Sequence, residues 1–170
     1  AASDVYKRQK YNLHELFKSK HDLIFNALHG EFGEDGGISC LAKKYNTTIT
    51  HSADISSALC FNKRLLKKFL KNELNLLSPR ELHEIKKIKF PLIAKPNADG
   101  SSKGVKVINN QKELKKLKID QNILIEEKID GRELTVTVIE DKKKIKSLGV
   151  TEITFKSAHY DFKAKYTHGK

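Results

Sequence analysis

The pattern of apolar and polar residues predicts an α/β arrangement in the first part of the chain. An apolar run at residues 22–28 predicts a strand, the glycine-rich segment 29–37 a loop, and residues 38–45 a helix. Between residues 56 and 77, apolar residues recur at helical spacing with lysines on the opposite face, which predicts one longer helix. Ligands of α/β units bind in loops that follow strands, so segment 29–37 is a candidate site, with a plain connection as the alternative.

The second part of the chain is predicted to be rich in strands. A serine and a proline at residues 78–79 interrupt the helical pattern, and a short helix is predicted over residues 79–88. Strands are predicted at residues 92–95, 104–108, 122–127, 132–139 and 145–154, with one helix at 111–117. This order indicates an α+β layer rather than a βαβ repeat. The final residues 155–170 show neither period and predict a loop.

The composition is that of a globular protein or of a piece of one. The chain has 170 residues, of which 38% are apolar, so it can bury a core. No apolar run has the length that crosses a bilayer and no signal-peptide segment follows the N-terminus, so we expect a cytoplasmic location and no membrane partner. The chain contains no methionine, which predicts a fragment, and residues 1–9 are expected to be a non-native or disordered end.

The net charge of +12 raises the possibility of a nucleic-acid partner. The lysine clusters are poor in interleaved aromatic residues, however, and predict solvated faces, so no nucleic-acid partner is expected. A basic RNA-binding module is kept as the weaker alternative. The first cluster comprises Lys63, Arg64, Lys67, Lys68 and Lys71.

Candidate chemistry is concentrated between residues 92 and 104, where an apolar strand carries one lysine into a turn rich in glycine and serine. Glycines permit the positive φ angles that let backbone N–H groups converge on an anion, serines add hydroxyl donors, and the lysine supplies a positive charge. The segment predicts a phosphate-binding hairpin, with a plain turn as the alternative. The residues concerned are Lys95, Gly100, Ser101, Ser102 and Gly104.

Three segments, taken in order, have the spacing of a known family. Residues 28–36 have the sequence LHGEFGEDG, residues 90–104 have FPLIAKPNADGSSKG, and residues 160–166 have YDFKAKY. They resemble the LHGxxGEDG, FPxxVKPxxxGSSxG and YDYxxKY blocks of the D-alanine–D-alanine ligases, which belong to the ATP-grasp superfamily. The resemblance extends over residues 20–169.

The resemblance implies an α/β N-terminal part followed by an α+β ATP-grasp central domain. Residues 10–60 would be a partial N-terminal α/β domain, and residues 61–170 would be the first part of the ATP-grasp domain, with nucleotide hairpin, hinge and lid loop. The metal-binding part of the family would lie downstream, so no metal ligand is expected within this chain. We therefore expect the chain by itself to have little or no activity.

The activity implied is the ATP-dependent ligation of two D-alanines through a D-alanyl phosphate, for peptidoglycan precursor synthesis. The implied cofactors are ATP and Mg²⁺ or Mn²⁺, the substrate is the small molecule D-alanine, and the parent protein is expected to be a homodimer. No covalent enzyme nucleophile is needed, since positioning and charge compensation suffice for phosphoryl transfer. Another ATP-grasp carboxylate–amine ligase, or a D-alanine–D-lactate ligase, is the alternative.

The resemblance also assigns roles to residues. The implied nucleotide-binding residues are Lys63, Lys95, Gly100, Ser101, Ser102, Glu126, Glu133 and Lys165. Within this set, Glu126 is expected to accept from the adenine amine and Glu133 from the ribose hydroxyls. The implied catalytic residues around the first D-alanine are His29, Gly30, Ser102, Lys165 and Tyr166. Exposed strand carboxylates, a surface lysine and an ordinary loop histidine are the alternatives for Glu126 and Glu133, Lys63 and His29 respectively.

Overall fold

The structure is a computed structural model that describes residues 12–19, 21–100, 102–142 and 144–154. The chain divides into two compact units, Ala1–Glu127 and Lys128–Lys170, which we describe one at a time. The first unit includes both sides of the predicted domain boundary between residues 60 and 61, and that boundary stays a prediction.

Five α-helices lie in the described part of the first unit. They are α1 (Leu13–Lys18), α2 (Gly37–Lys44), α3 (Asp54–Phe61), α4 (Lys63–Leu74) and α5 (Gln111–Lys116). Asn12, Asn62 and Asn110 each accept a hydrogen bond from a backbone N–H in the first turn of α1, α4 and α5, as helix N-caps do. Helix α4 ends at Asn75, whose φ of 51° gives the left-handed conformation common after a last helical turn.

A three-stranded antiparallel sheet has the order β2-β1-β3. The strands are β1 (Leu92–Pro96), β2 (Lys106–Ile108) and β3 (Ile123–Glu127). Side chains alternate between the two faces of a strand, so β1 places Leu92 and Ala94 on one face and Lys95 on the other. The first face packs into a core formed by Leu92, Ala94, Ile108, Leu114 and Ile125. The second face carries Lys95 together with the buried Leu124 and Glu126 of β3.

A second small core lies under α1 and α2. It contains Phe17, Ile38, Leu41 and Ala42, with Phe32 and other half-buried residues packed around it. This core anchors the start of α2, and therefore the end of the glycine-rich loop that precedes it.

The described part of the second unit is a β-hairpin. Strands β4 (Glu133–Asp141) and β5 (Lys144–Ile153) pair antiparallel with a register shift between Thr137 and Val138. Most side chains of the hairpin are exposed.

The mixed α and β fold class predicted from the sequence is confirmed, as are the helix at α2 and the strand-rich second part. The helix predicted over 56–77 is wrong in one respect, because it is two helices separated at Asn62, whose side chain caps α4. The strand predicted at 22–28 is reduced to a single bridge between Ile24 and Ile49. The helix predicted over 79–88 is a 3-10 turn at Leu82–Glu84, with a capping box between Glu81 and Glu84 at its N-terminus.

Of the helices that the described ranges contain, none has the length and apolar character needed to span a membrane. The loop predicted for 155–170 lies outside the described residues.

Leu124 is expected to be essential to the sheet, because its side chain is 0% exposed whereas Leu77 is 100% exposed. Replacing Leu124 by alanine removes buried methyl groups and leaves a cavity, so we expect a loss of about 3 kcal/mol in the free energy of unfolding. Urea unfolding followed by circular dichroism measures it, with Leu77→Ala as the matched control. Equal losses for the two variants would contradict the described packing.

Candidate functional site

The lysine of the predicted phosphate hairpin meets a buried carboxylate on the second face of the sheet. In the register of β1 and β3, Lys95 lies opposite Leu124 and Ile93 lies opposite Glu126, so Lys95 and Glu126 are diagonal neighbours on one face. Lys95 Nζ forms an ion pair with Glu126 Oε1. Glu126 is 4% exposed, so this carboxylate depends on its partners within the protein.

Helix α4 brings two more ammonium groups to this region. Lys63 and Lys67 are four residues apart and so lie on the same side of the helix. Lys67 Nζ lies 3.0 Å from Glu126 Oε2. Lys63 Nζ donates to the backbone carbonyls of Asp99, at 2.8 Å, and of Asn97, at 3.3 Å. The helix, the strand and the turn after β1 therefore share one cluster of charges.

Positive charge is in excess in this cluster. Burial, and after it the positive charge of Lys95, lowers the pKa of Lys63 below its ordinary value of 10.5, while Asp99 and Glu126 act in the opposite direction. A second ammonium so close disfavours the charged form of Lys63, and an anion placed between the two would relieve that repulsion. The arrangement suits a phosphate group.

Asn97 fixes the first turn of α4 to the end of β1. Its carbonyl accepts the N–H of Lys63 at 3.0 Å, and its side-chain oxygen accepts the N–H of Arg64 at 2.9 Å. Its side-chain nitrogen donates to Asn62 Oδ1 at 3.0 Å. The first N–H groups of a helix have no partners within the helix, and here Asn97 satisfies two of them.

Arg64 extends this contact to the start of β3. Its guanidinium donates to the carbonyl of Ile123 at 2.8 Å, to the carbonyl of Gln121, and to Glu81 Oε2 at 3.2 Å. Glu81 is 8% exposed and needs such a partner. Arg64 therefore joins three segments: helix α4, the approach to β3 and the segment before the 3-10 turn.

The turn after β1 differs from the prediction in one respect. Gly104 has a φ of 74° and Ser102 a φ of 56°, so the turn does use left-handed backbone. Gly100, in contrast, does not have a positive φ, and the reason predicted for its being glycine is wrong. A Cβ at Gly100 would lie 2.7 Å from Glu34 Oε2, so a larger residue there would displace the end of the Glu34 side chain.

Glu34 brings the loop that contains His29 next to this turn. Its carboxylate accepts the N–H of Gly30 at 2.5 Å, and His29 Nδ1 lies 3.8 Å from its other oxygen. The Cβ position of Gly100 is 3.8 Å from the Cα of Gly30. Two of the predicted blocks, 28–36 and 90–104, thus meet in the first unit.

Several predicted site residues cannot be placed with this cluster. Ser101, Lys165 and Tyr166 lie outside the described residues. Glu133 begins β4 in the second unit, and its role stays a prediction. Within the ranges that the structure describes, no group of three or more His, Cys, Asp or Glu residues could hold a metal ion.

Sequence reasoning missed Arg64, Lys67 and Asn97. Arg64 and Lys67 were expected on a solvated face, but the Lys67 side chain is 14% exposed and both residues are paired with carboxylates. A signal for Lys67 was present in its spacing of four from Lys63 on the predicted helix. Nothing local distinguishes Asn97 from an ordinary turn asparagine, since the partners of its side chain are more than thirty residues away in sequence.

Known proteins with similar sequences are D-alanine–D-alanine ligases. The family model described as "D-ala D-ala ligase C-terminus" matches residues 64–170. The D-alanine–D-alanine ligase of Pelagibacter ubique is 40% identical over 163 residues, which cover 86% of this chain and 52% of the relative. That of Thermotoga maritima is 34% identical over 179 residues, which cover 97% of this chain and 59% of the relative. The chain spans about half the length of the curated relatives it matches.

Solved structures of such ligases have the same fold. The D-alanine–D-alanine ligase of Helicobacter pylori superposes with a TM-score of 0.65 at 26% identity, covering 82% of this chain and 49% of that one. The D-Ala:D-Ser ligase VanG of Enterococcus faecalis gives a TM-score of 0.71 at 28% identity, covering 88% of this chain and 48% of that one.

The contacts of Arg64 predict a large effect of its removal. Arg64→Met leaves the buried Glu81 carboxylate and two carbonyls without this donor, so we expect a loss of about 2 kcal/mol in the free energy of unfolding. Arg80→Met is the matched control, because Arg80 also pairs with a glutamate, Glu127, but its side chain is 64% exposed. Urea unfolding of both variants checks this. A loss for Arg80→Met as large as that for Arg64→Met would contradict the role given to Arg64.

The lowered pKa of Lys63 predicts that the free energy of unfolding depends on pH. Since the pKa is lower in the folded than in the unfolded chain, the folded state binds fewer protons between the two values, and Lys63 adds stability as the pH rises through that interval. In lysine ¹³Cε NMR spectra, Lys63 should titrate at lower pH than the exposed Lys68, and added tripolyphosphate should raise its pKa. A Lys63→Arg variant assigns the signal. A Lys63 signal that titrates together with Lys68 would contradict the crowding of charge.

Proposed function

The chain belongs to the D-alanine–D-alanine ligase family, and we propose that it forms the phosphate-binding side of an ATP-dependent ligase that joins two D-alanines. The observation that carries the proposal is a cluster of three lysines, in which Lys67 and Lys95 pair with the buried carboxylate of Glu126 while Lys63 donates to the carbonyls of Asn97 and Asp99. Its excess positive charge fits the triphosphate of ATP, and it lies next to the loop of His29 and Gly30.

ATP would supply the phosphoryl group that activates the carboxylate of the first D-alanine as an acyl phosphate. Lys95 and Lys63 would hold the phosphates and compensate the charge that spreads over the transferring group. Ser102, in the left-handed turn after β1, would add its hydroxyl on the same side. These groups position and stabilise, and they form no covalent bond with the substrate.

His29 and Gly30 would bind at the substrate end. The Glu34 carboxylate accepts the N–H of Gly30 and lies beside Gly100. The loop at 29–37 is therefore held next to the turn after β1. The D-alanine carboxylate would therefore lie close to the phosphate that it receives, which is the condition for rapid transfer. The amine of the second D-alanine would then attack the acyl carbon and release phosphate, giving the dipeptide.

Glu126 would still be able to accept from the adenine amine. A carboxylate offers about four lone-pair positions, and the two lysines use one on each oxygen. From the family resemblance alone, Glu133 is proposed to bind the ribose, and Ser101, Lys165 and Tyr166 are proposed to act on the phosphates and the first D-alanine.

We assign no metal ligand among the described residues, where the carboxylate nearest the lysines, Glu126, is already paired with two of them. Use of Mg²⁺ or Mn²⁺ by the whole protein is part of the proposal, but no step is derived through the metal. A cytoplasmic location, a homodimer and a part in peptidoglycan precursor synthesis are proposed on the basis of the family alone.

One comparison bears on the identity of the second substrate. The similar solved structures include a D-Ala:D-Ser ligase, and a phosphate-binding cluster does not distinguish among amine or hydroxyl acceptors. D-serine and D-lactate are therefore the alternatives to the second D-alanine. A basic RNA-binding module is the alternative outside the enzymes.

Nucleotide binding tests the proposed cluster directly. Lys95→Met removes a positive charge from the phosphate position, so we expect binding of N-methylanthraniloyl-ATP by the 170-residue chain to weaken roughly tenfold or more, as loss of a charge-assisted hydrogen bond predicts. The matched control is Lys106→Met, because Lys106 is an exposed lysine on the neighbouring strand β2. Fluorescence titration measures both dissociation constants. Salt-sensitive oligonucleotide binding that Lys95→Met leaves unchanged, without nucleotide binding, would instead support the RNA-binding module.

Substrate choice is tested in the full-length protein that contains this chain. We expect ADP release to require D-alanine and to be much slower with L-alanine, because the acceptor and donor must fit one stereochemistry. Supplying D-serine or D-lactate together with D-alanine and analysing the products identifies the second substrate. Turnover without preference for D-alanine would contradict the specific activity.

A further inference from the structure

The carboxylate of Glu126 has a second partner, Lys67, whose own role in nucleotide binding the proposed function leaves undefined. Lys67 Nζ lies 3.0 Å from Glu126 Oε2, whereas Lys95 takes Oε1. The side chains of Lys67 and Glu126 are 14% and 5% exposed, so this is a largely buried pair. Such burial distinguishes Lys67 from the neighbouring Lys68, which is exposed.

Lys95 has two competing anions if it also binds phosphate. In the structure its ammonium is paired with Glu126, and the proposed function, on which this inference rests, requires it to contact the nucleotide. A buried carboxylate that has lost its last partner strongly destabilises the folded protein. Release of Lys95 to the phosphates is therefore favourable only if Glu126 keeps another cation.

Lys67 is placed to be that cation. It belongs to α4, whose first turn is fixed by Asn97, and Lys95 belongs to β1, so the two partners of Glu126 come from different elements. Lys67 contacts the oxygen that Lys95 does not. The pair Lys67–Glu126 can thus persist while Lys95 changes its anion.

We infer that Lys67 is a positioning residue for nucleotide binding, which holds Glu126 as a paired carboxylate so that Lys95 can exchange Glu126 for the nucleotide phosphates. Lys67 itself does not contact the phosphates. Removing it should lock Lys95 onto Glu126, and removing the carboxylate as well should release Lys95 again. The effect of Lys67 on nucleotide affinity therefore depends on the charge of Glu126.

The experiment is a double-mutant cycle on the 170-residue chain, with N-methylanthraniloyl-ATP as the probe. The variants are Lys67→Met, Lys67→Arg, Glu126→Gln and Lys67→Met combined with Glu126→Gln. Lys68→Met is the matched control, since it removes an adjacent lysine with the same change of net charge. Circular dichroism and the unfolding midpoint of each variant establish that binding is measured on folded protein.

We expect Lys67→Met to weaken binding roughly tenfold, as the cost of an unpaired buried carboxylate predicts, while Lys68→Met changes it little. Lys67→Arg should retain most of the affinity because it keeps the cation. In the Glu126→Gln background, Lys67→Met should have little further effect. A merely structural role for Lys67 would lower the unfolding midpoint without this dependence on Glu126.

Two results would overturn the inference. If Lys67→Met binds the probe as tightly as Lys68→Met does, the inference fails while the proposed function stands. If Lys67→Met weakens binding equally with Glu126 and with Gln at position 126, Lys67 acts independently of the carboxylate and the inference again fails. Absence of nucleotide binding by the unaltered chain would overturn both the inference and the proposed phosphate site.

Discussion

The polar contacts between the first turn of α4 and the residues after β1 determine where the cations of the site lie. Asn97 binds the N–H groups of Lys63 and Arg64, and Asn62 caps the helix from the other side. Because a helix rises by about 1.5 Å per residue with about 3.6 residues per turn, fixing its first turn also fixes the side chain one turn later. The positions of Lys63 and Lys67 follow from one docking contact.

The same contact brings several ammonium groups close together. Lys67 and Lys95 pair with the buried carboxylate of Glu126, and the pKa of Lys63 is lowered first by burial and second by the positive charge of Lys95. Proteins tolerate such excess charge where a ligand of opposite sign is bound, since the ligand then recovers the cost. An anion bound between these lysines, as the proposed function requires, would relieve the repulsion between them.

The sequence predicts the elements that have a local signal and misses those that depend on distant partners. Strand β1 and helix α2 follow from apolar periodicity, and the block at residues 90–104 marks Lys95. The break at Asn62 is missed from the sequence, because apolar residues recur at helical spacing on both sides of it. The structure shows that the Asn62 side chain accepts the N–H of Leu65 and so begins a new helix.

The reason for glycine at position 100 shows the same limit within the candidate site. From the sequence, a glycine in a turn predicts a positive φ, and Gly104 meets that expectation. Gly100 instead lies beside the carboxylate of Glu34, which is more than sixty residues earlier in the chain. A close approach of this kind has no local pattern, so a sequence can mark the residue correctly for a reason that is wrong.

That approach also bears on specificity. In the proposed function, Lys63 and Lys95 would contact phosphate groups, which every nucleoside triphosphate has, so these lysines would not select the amino-acid substrate. The loop of His29 and Gly30 is tied to the phosphate turn through Glu34, whose carboxylate fills the space beside Gly100. In the proposed function, a substrate held by this loop would be presented to the phosphates in a fixed register, so selection of the first amino acid would act on the rate of transfer as well as on binding.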